Sequence, residues 1–230
     1  MKITSLGHSG FRIEIADQIL LIDPWMTGNP LFPEGSRADA IAGATAILLT
    51  HGHGDHASDA VAISKELDIP ICGIFDLMSH WEATEGTKCM GFNKGGTIQH
   101  GEVSVTMVNA VHSSSINGDS GPVYAGAEAG FMISGEGHTI YLSGDTDVMA
   151  DMKIFNDLHA PDIGILCAGG FFTMDMKRAA YAAKTFFNFT TVIPCHYKTF
   201  PILEQSADEL AAALPGVNVI ETEVMVPVEI

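Results

Sequence analysis

Short apolar runs, each stopped by Gly, Pro, Asp or Ser, punctuate this chain from one end to the other. Ile13-Glu14-Ile15 and Gln18 to Ile22 predict a hairpin that ends at Asp23-Pro24. Ala46 to Thr50 is continuous enough for a buried strand, and Ile69 to Ile74 for a further short one. Val103 to Val108 alternates, as a strand with one buried face does, and His138 to Leu142 and Thr190 to Pro194 read as strands too. Helical spacing fills the intervals. One helix is expected from about Ser58, through Ala60 to Ile63 and Leu67, with a stop before Pro70. Asp76 is placed to cap a second, through His80 and Trp81. Thr173 or Asp175 would cap a third, Met176 to Phe187, in which Ala179, Ala180, Ala183 and Phe187 share a face. A last helix spans about Ala207 to Leu214, before a short terminal strand. Strands and helices alternate in both halves, so the chain reads as an α/β protein, although no sequence repeat marks the halves.

The strand ends carry the chemistry. His51-Gly-His53-Gly-Asp55-His56 follows the buried run Ala46–Thr50 directly. Neutral imidazole nitrogen and carboxylate oxygen are the donors that zinc and similar divalent ions take. The glycines between them are expected to let the backbone turn tightly. His112 follows the run that ends at Val108, Asp145 follows Leu142, and His196 follows Pro194 and Cys195. Any one of these alone would suit a turn or a cap. Their repetition at successive strand ends is the pattern of ligands converging on one edge of a packed sheet.

His51-x-His53-x-Asp55-His56, then His112, Asp145 and His196 in that order, resembles the ligand series of the metallo-β-lactamase superfamily. Several other segments resemble one branch of it, the uncharacterised metal-dependent hydrolases related to ascorbate-6-phosphate lactonase. These are Lys2-Ile3-Thr4 with Leu6-Gly7-His8-Ser9, Asp23-Pro24-Trp25, Val111 to Ser115, Gly144-Asp145-Thr146, Phe172-Thr173-Met174 and His196 to Pro201. The resemblance covers nearly the whole chain. It implies one domain over residues 1–230, folded as a four-layer αβ/βα sandwich of two mixed β-sheets flanked by helices.

It also implies two divalent metal ions per chain. His51, His53 and His112 would hold the first, and Asp55, His56 and His196 the second, with Asp145 between them. Zinc suits such donors, and manganese, nickel, iron or cobalt could occupy them. The expected reaction is hydrolysis of a small-molecule ester, lactone or phosphodiester by a hydroxide shared by both ions, with Asp55, Asp145 and His196 as the catalytic residues. Asp23 is expected to orient a ligand imidazole from behind. His8 would line the site, donate to substrate, or make a structural hydrogen bond. Two other readings stay open: a mononuclear iron oxygenase acting on a sulfur substrate, and a non-catalytic metal-dependent binding protein.

Three loops border this centre in sequence. Trp25 to Arg37 carries Trp25, Met26, Leu31 and Phe32, which would pack on the body or form a lid or apolar wall. Ile116 to Gly126, rich in Gly, Ser, Asn and Asp, suits a mobile flap, and Gly169 to Met174 would place aromatics over the substrate. Lys198 is the candidate cationic contact to a carboxylate or phosphate, or else an ordinary surface lysine. His80, His100, His138 and His159 fall outside any ligand pattern, and Cys195 reads as a small buried residue.

Charge and composition narrow the partners. With 28 acidic against 11 basic side chains the net charge is −17, which argues against nucleic acid. The partner expected is a small molecule. No apolar stretch is long enough for a membrane span and no leader segment is evident, so no membrane role and a cytoplasmic setting are expected. Four scattered cysteines with no CxxC pair fit that setting. A hydrophobic fraction of 47% hints at a subunit interface in a homo-oligomer.

Overall fold

The alternation at the N terminus folds as a meander. In the computed structural model, which describes residues 1–230, β1 (Lys2–Gly7), β2 (Gly10–Ile15) and β3 (Gln18–Ile22) are successively antiparallel. Helix α1 (Arg37–Ile41) then carries the chain across to β4 (Ala46–Leu48), which lies parallel to β3. Helices α2 (Gly54–Ala57) and α3 (Ala60–Leu67) lead to β5 (Ile71–Ile74), and α4 (Phe75–Glu85) to β6 (Cys89–Phe92), both parallel additions.

The second half repeats this plan. Strands β7 (Thr97–His100) and β8 (Val103–Asn109) are antiparallel. A separate hairpin of β9 (Ser115–Gly118) and β10 (Gly121–Tyr124) intervenes before β11 (Ala129–Gly135) pairs with β8 and with β12 (His138–Leu142). After α5 (Asp151–His159), β13 (Ile163–Cys167) joins in parallel. Helix α6 (Met176–Phe186), β14 (Thr191–Cys195), α7 (Asp208–Ala213) and β15 (Asn218–Val219) follow, and β16 (Pro227–Glu229) returns to the first sheet beside β1.

Two mixed seven-stranded sheets result, ordered β16-β1-β2-β3-β4-β5-β6 and β15-β14-β13-β12-β11-β8-β7. Each is antiparallel at its start and parallel where helices cross, so the halves share a topology that their sequences do not display. Every residue of β4, β5, β13 and β14 is buried, as expected for parallel strands covered on both faces. One cluster of 60 buried residues runs through both sheets. This is the α/β sandwich that the family resemblance implied. No helix is long and apolar enough to cross a membrane.

Local signals hold at α6 and shift elsewhere. Asp175 caps α6 by accepting from the Arg178 N–H at 2.7 Å, a contact worth about 1 kcal/mol in typical helices. The expected helix from Ser58 begins instead at Ala60, because Gly54–Ala57 already forms a separate helical turn. Asp55 and His56 therefore sit on a helix and not on a loop. Asp76 lies inside the first turn of α4 and does not cap it; there a carboxylate still favours the helix dipole. The expected flap over residues 116–126 is largely the β9–β10 hairpin.

Tyr141 tests how dry this core is. Its ring stacks on Phe187 at 5.0 Å, and its buried hydroxyl has no hydrogen-bond partner, so burial pushes its pKa up. A buried unpaired polar group costs about 1–3 kcal/mol. Tyr141→Phe should therefore leave stability unchanged or raise it by about 1 kcal/mol in denaturant unfolding; a clear loss would mean that the hydroxyl is satisfied by a trapped water.

Candidate metal centre

Six strands deliver the candidate residues to one edge. His8 follows β1, Asp23 follows β3, His51 to His56 follow β4, His112 follows β8, Asp145 follows β12, and His196 follows β14. At that edge the chain must turn sharply. His8, Asp23 and His196 all take left-handed backbone, with φ of 55°, 43° and 61°. Such a conformation costs roughly 1–2 kcal/mol for a residue with a Cβ and persists where the surroundings enforce it. Here they do: the His196 N–H donates to the His8 carbonyl at 2.9 Å, joining the end of the second sheet to that of the first. Gly144 supplies the turn before Asp145 (φ 58°), where a Cβ would collide with the Ala129 carbonyl.

Gly52 of the His cluster has another reason than the one expected. Neither Gly52 nor Gly54 has a positive φ. A Cβ on Gly52 would lie 2.9 Å from the Ala125 Cβ and 3.1 Å from the Ser115 carbonyl. Close packing against the arms of the β9–β10 hairpin requires this glycine, not a special turn.

The side chains form two groups around one carboxylate. Nitrogens of His51, His53 and His112 lie within 4.8 Å of one another, as do ligand atoms of His8, Asp55, His56 and His196. Asp145 Oδ2 sits between the groups, 3.1 Å from His196 Nε2, 3.3 Å from His56 Nε2, 3.6 Å from His112 Nε2 and 4.0 Å from His51 Nε2. His51, His56, Asp145 and His196 are buried, whereas His53, Asp55 and His112 are half-buried.

Hydrogen bonds from behind fix the tautomers. Asp23 Oδ1 accepts from the Thr50 N–H at 2.8 Å, and Oδ2 accepts from both the Thr50 hydroxyl (2.6 Å) and His56 Nδ1 (2.8 Å). The Thr50 oxygen, its proton so committed, accepts from His51 Nδ1 at 3.0 Å. Asp23 thus holds His56 directly and His51 through Thr50. Both rings then present unprotonated Nε2 atoms towards Asp145. A lone pair facing a carboxylate is repulsive unless a cation lies between them. His56 Nε2 and Asp145 Oδ1 are buried without a hydrogen-bond partner, the residue expected where a cation belongs. The donor set fits divalent metal.

The electrostatics agree. Burial and then the neighbouring His56 hold His51 well below the ordinary imidazole value; burial likewise lowers His53 and His112, so these rings are neutral and able to ligate. Burial alone would raise Asp145, but His196 and His56 outweigh it and hold the carboxyl well below its usual range. Burial also disfavours charge on His56, yet Asp145 and Asp23 prevail and raise its pKa well above 6.5. Without metal, a proton on His56 takes the cation's place.

His8 enters this centre through Asp55. Its Nε2 lies 3.1 Å from Asp55 Oδ2 and its Nδ1 2.8 Å from the Thr199 hydroxyl. Nε2–H donates to the carboxylate, so Nδ1 accepts from Thr199. Burial first, then His196 and His56, lower the His8 pKa to about 4. Thr50 and Thr199 are the partners that the sequence left without a role, although each adjoins a motif residue.

Lys198 stands apart. Its ammonium pairs with Glu221 and lies 5.1 Å from the Tyr197 ring centre, and Tyr197 also donates to Glu221 at 3.1 Å. His80, His100, His138 and His159 belong to neither ligand group; His138 pairs with Asp162 at 2.6 Å. Cys195 is buried, which pushes its thiol pKa well up and keeps it protonated.

Comparison with known proteins places the fold in a family. A family model described as "Beta-lactamase superfamily domain" matches residues 18–197. A protein of Dinoroseobacter shibae named as a metal-dependent hydrolase is 70% identical over 230 residues, covering 100% of both chains. The structure of Igni18, described as a novel metallo hydrolase from Ignicoccus hospitalis, superposes with a TM-score of 0.85 at 28% identity, over 100% of this chain and 98% of that one. YhfI from Bacillus subtilis, described as a metallo-beta-lactamase fold protein, shares the fold at a TM-score of 0.75 and 17% identity, over 99% of each chain. With its fold, its strand-end donors and a match over most of its length, the chain belongs to the metallo-β-lactamase superfamily.

Proposed function

We propose that this protein is a metal-dependent hydrolase that cleaves a small-molecule ester, lactone or phosphodiester. The observation that carries the reading is the position of Asp145 Oδ2, within 4.0 Å of imidazole nitrogens from both ligand groups. A carboxylate so placed suits a bridge between two cations. When bound, a pair of divalent ions would bring the pKa of water towards neutrality and polarise the oxygen of the bond under attack. Zinc fits these donors, and manganese, nickel or iron would be accepted by the same set.

The chain's own residues then divide the work. His51, His53 and His112 would hold one ion, and Asp55, His56 and His196 the other. Asp23 orients His56 directly and His51 through Thr50. His8 holds the Asp55 carboxylate by donating to Oδ2. In the reaction, water adds to the acyl carbon or phosphorus, the bond to the leaving oxygen breaks, and that oxygen takes up a proton. A mononuclear oxygenase would need only one ligand group, so the second group around the same carboxylate favours hydrolysis. Four unpaired cysteines support a cytoplasmic setting.

Activity against a panel of esters, lactones and phosphodiesters tests the reading. Asp145→Ala should lower turnover by about a thousandfold or more while the circular dichroism spectrum stays native; retained activity in that variant would sink the mechanism. Thr50→Val removes only the link between Asp23 and His51. It should weaken metal affinity roughly 10–100-fold in a chelator competition, with Thr50→Ser restoring it.

The pH dependence has a defined sign. A folded His8 pKa of about 4, below the ordinary 6.5, means that the unfolded chain binds more protons between those values. The stability that His8 contributes is full above 6.5 and lost as pH falls through 4; neutral, buried His51 acts in the same direction. The thermal midpoint of the metal-free protein should fall across this window, and less steeply in His8→Gln. An equal slope in the variant would contradict the assignment.

A further inference from the structure

An aromatic surface adjoins the Asp55–His56–His196 group and no step of the proposed hydrolysis uses it. Trp25, on the loop after β3, and Phe200, on the loop after β14, stack with ring centres 6.2 Å apart and planes 30° apart. The His8 ring meets both edge-on, at 5.3 Å from Trp25 and 5.9 Å from Phe200, and lies 4.0 Å from the His196 ring. The aromatic pair is therefore one imidazole away from the candidate metal ligands. Phe200 is 38% exposed and Trp25 is half-buried, so the pair is not a piece of core.

The loop that carries Trp25 is built rigidly. Asp59 Oδ2 accepts from the Met26 and Thr27 N–H groups at 2.7 and 2.8 Å, and Oδ1 from the Thr27 hydroxyl at 2.6 Å. The indole N–H donates to the Thr27 carbonyl at 2.9 Å, and Asn29 donates to the Trp25 carbonyl at 3.0 Å. A surface loop with a half-buried aromatic gains nothing in solubility from such bracing. It does gain affinity, because a preorganised ring loses little freedom when a ligand stacks on it.

Charge limits what that ligand is. Lys198, two residues before Phe200, is the cation nearest in sequence to the pair, and Glu221 already neutralises it. The chain as a whole carries −17. An anionic group at this end of a substrate would find Lys198 already paired, and its attraction would have to come from metal ions on the far side of His8.

We infer that Trp25 and Phe200 form the subsite for an uncharged, flat apolar group of the substrate, placed beyond His8 from the reacting bond. This rests on the hydrolase reading and narrows its substrate class. The substrate is an ester or lactone with an aryl or similarly flat apolar substituent, and not a sugar phosphate or another molecule charged at that end.

The test is calorimetric binding to the metal-loaded protein of 1-(2-naphthyl)propan-2-one, an uncleavable ketone analogue of 2-naphthyl acetate, and of its 6-sulfonate. Saturable binding of the neutral ketone is expected. The sulfonate should bind at least about tenfold more weakly, and Phe200→Ala should weaken the ketone by a similar factor. Phe200 is exposed, so this variant should fold. Leu158→Ala, at an exposed apolar position on α5, serves as the control and should change nothing. No saturable binding, equal binding of the sulfonate, or an unchanged Phe200→Ala would overturn the subsite. Turnover of 2-naphthyl acetate is measured separately. If the ketone binds through Phe200 while no ester, lactone or phosphodiester is cleaved, the hydrolase reading fails and the subsite stands.

Discussion

Everything at the candidate centre leans on the buried carboxylate of Asp23. It accepts from the Thr50 backbone, the Thr50 hydroxyl and His56 Nδ1 at 2.6–2.8 Å, so a charge that burial would otherwise penalise is fully engaged. The Asp23 N–H also donates to the Leu48 carbonyl at 3.1 Å, which ties the ends of β3 and β4 together. From this one group the tautomers of His51 and His56 follow, and with them the direction of two lone pairs. Those lone pairs and the Asp145 carboxylate create a charge arrangement that needs a cation. The polar architecture behind the candidate ligands therefore matters to cation binding as much as the candidate ligands themselves do.

The two sheets are joined where this centre lies. The His196 N–H reaches the His8 carbonyl, and the Ala129 N–H reaches the Thr50 carbonyl at 3.0 Å. Both bonds cross between the halves of the molecule. Both donors come from the second half, and the acceptor of one, His8, holds Asp55 in the first. Neither half contains a whole ligand set, so the packing of the 60-residue core positions the ligands and is more than a passive support.

Much of this was legible in the chain, and the gaps have physical causes. The continuous run at Ala46–Thr50 and the alternation at Val103–Val108 announced strands, and the strand-end His and Asp residues are the ones that the fold gathers at one edge. Periodicity describes a face, however, not a partner. Nothing local shows that the Thr50 hydroxyl bridges Asp23 and His51, because Asp23 is distant in sequence. Gly52 read as a turn residue, yet it is small because Ala125 and Ser115 pack against it. Lys198 looked available until Glu221, also remote in sequence, was placed beside it. The doubled topology of the sheets left no repeat in the sequence, since burial constrains hydrophobicity at a position far more than identity.

The paired residue groups around Asp145 are proposed to hold a pair of metal ions. Elemental analysis of protein purified without added metal or an affinity tag measures this directly. About two divalent ions per chain are predicted. A protein that contains none, and takes up none on reconstitution, would contradict the account.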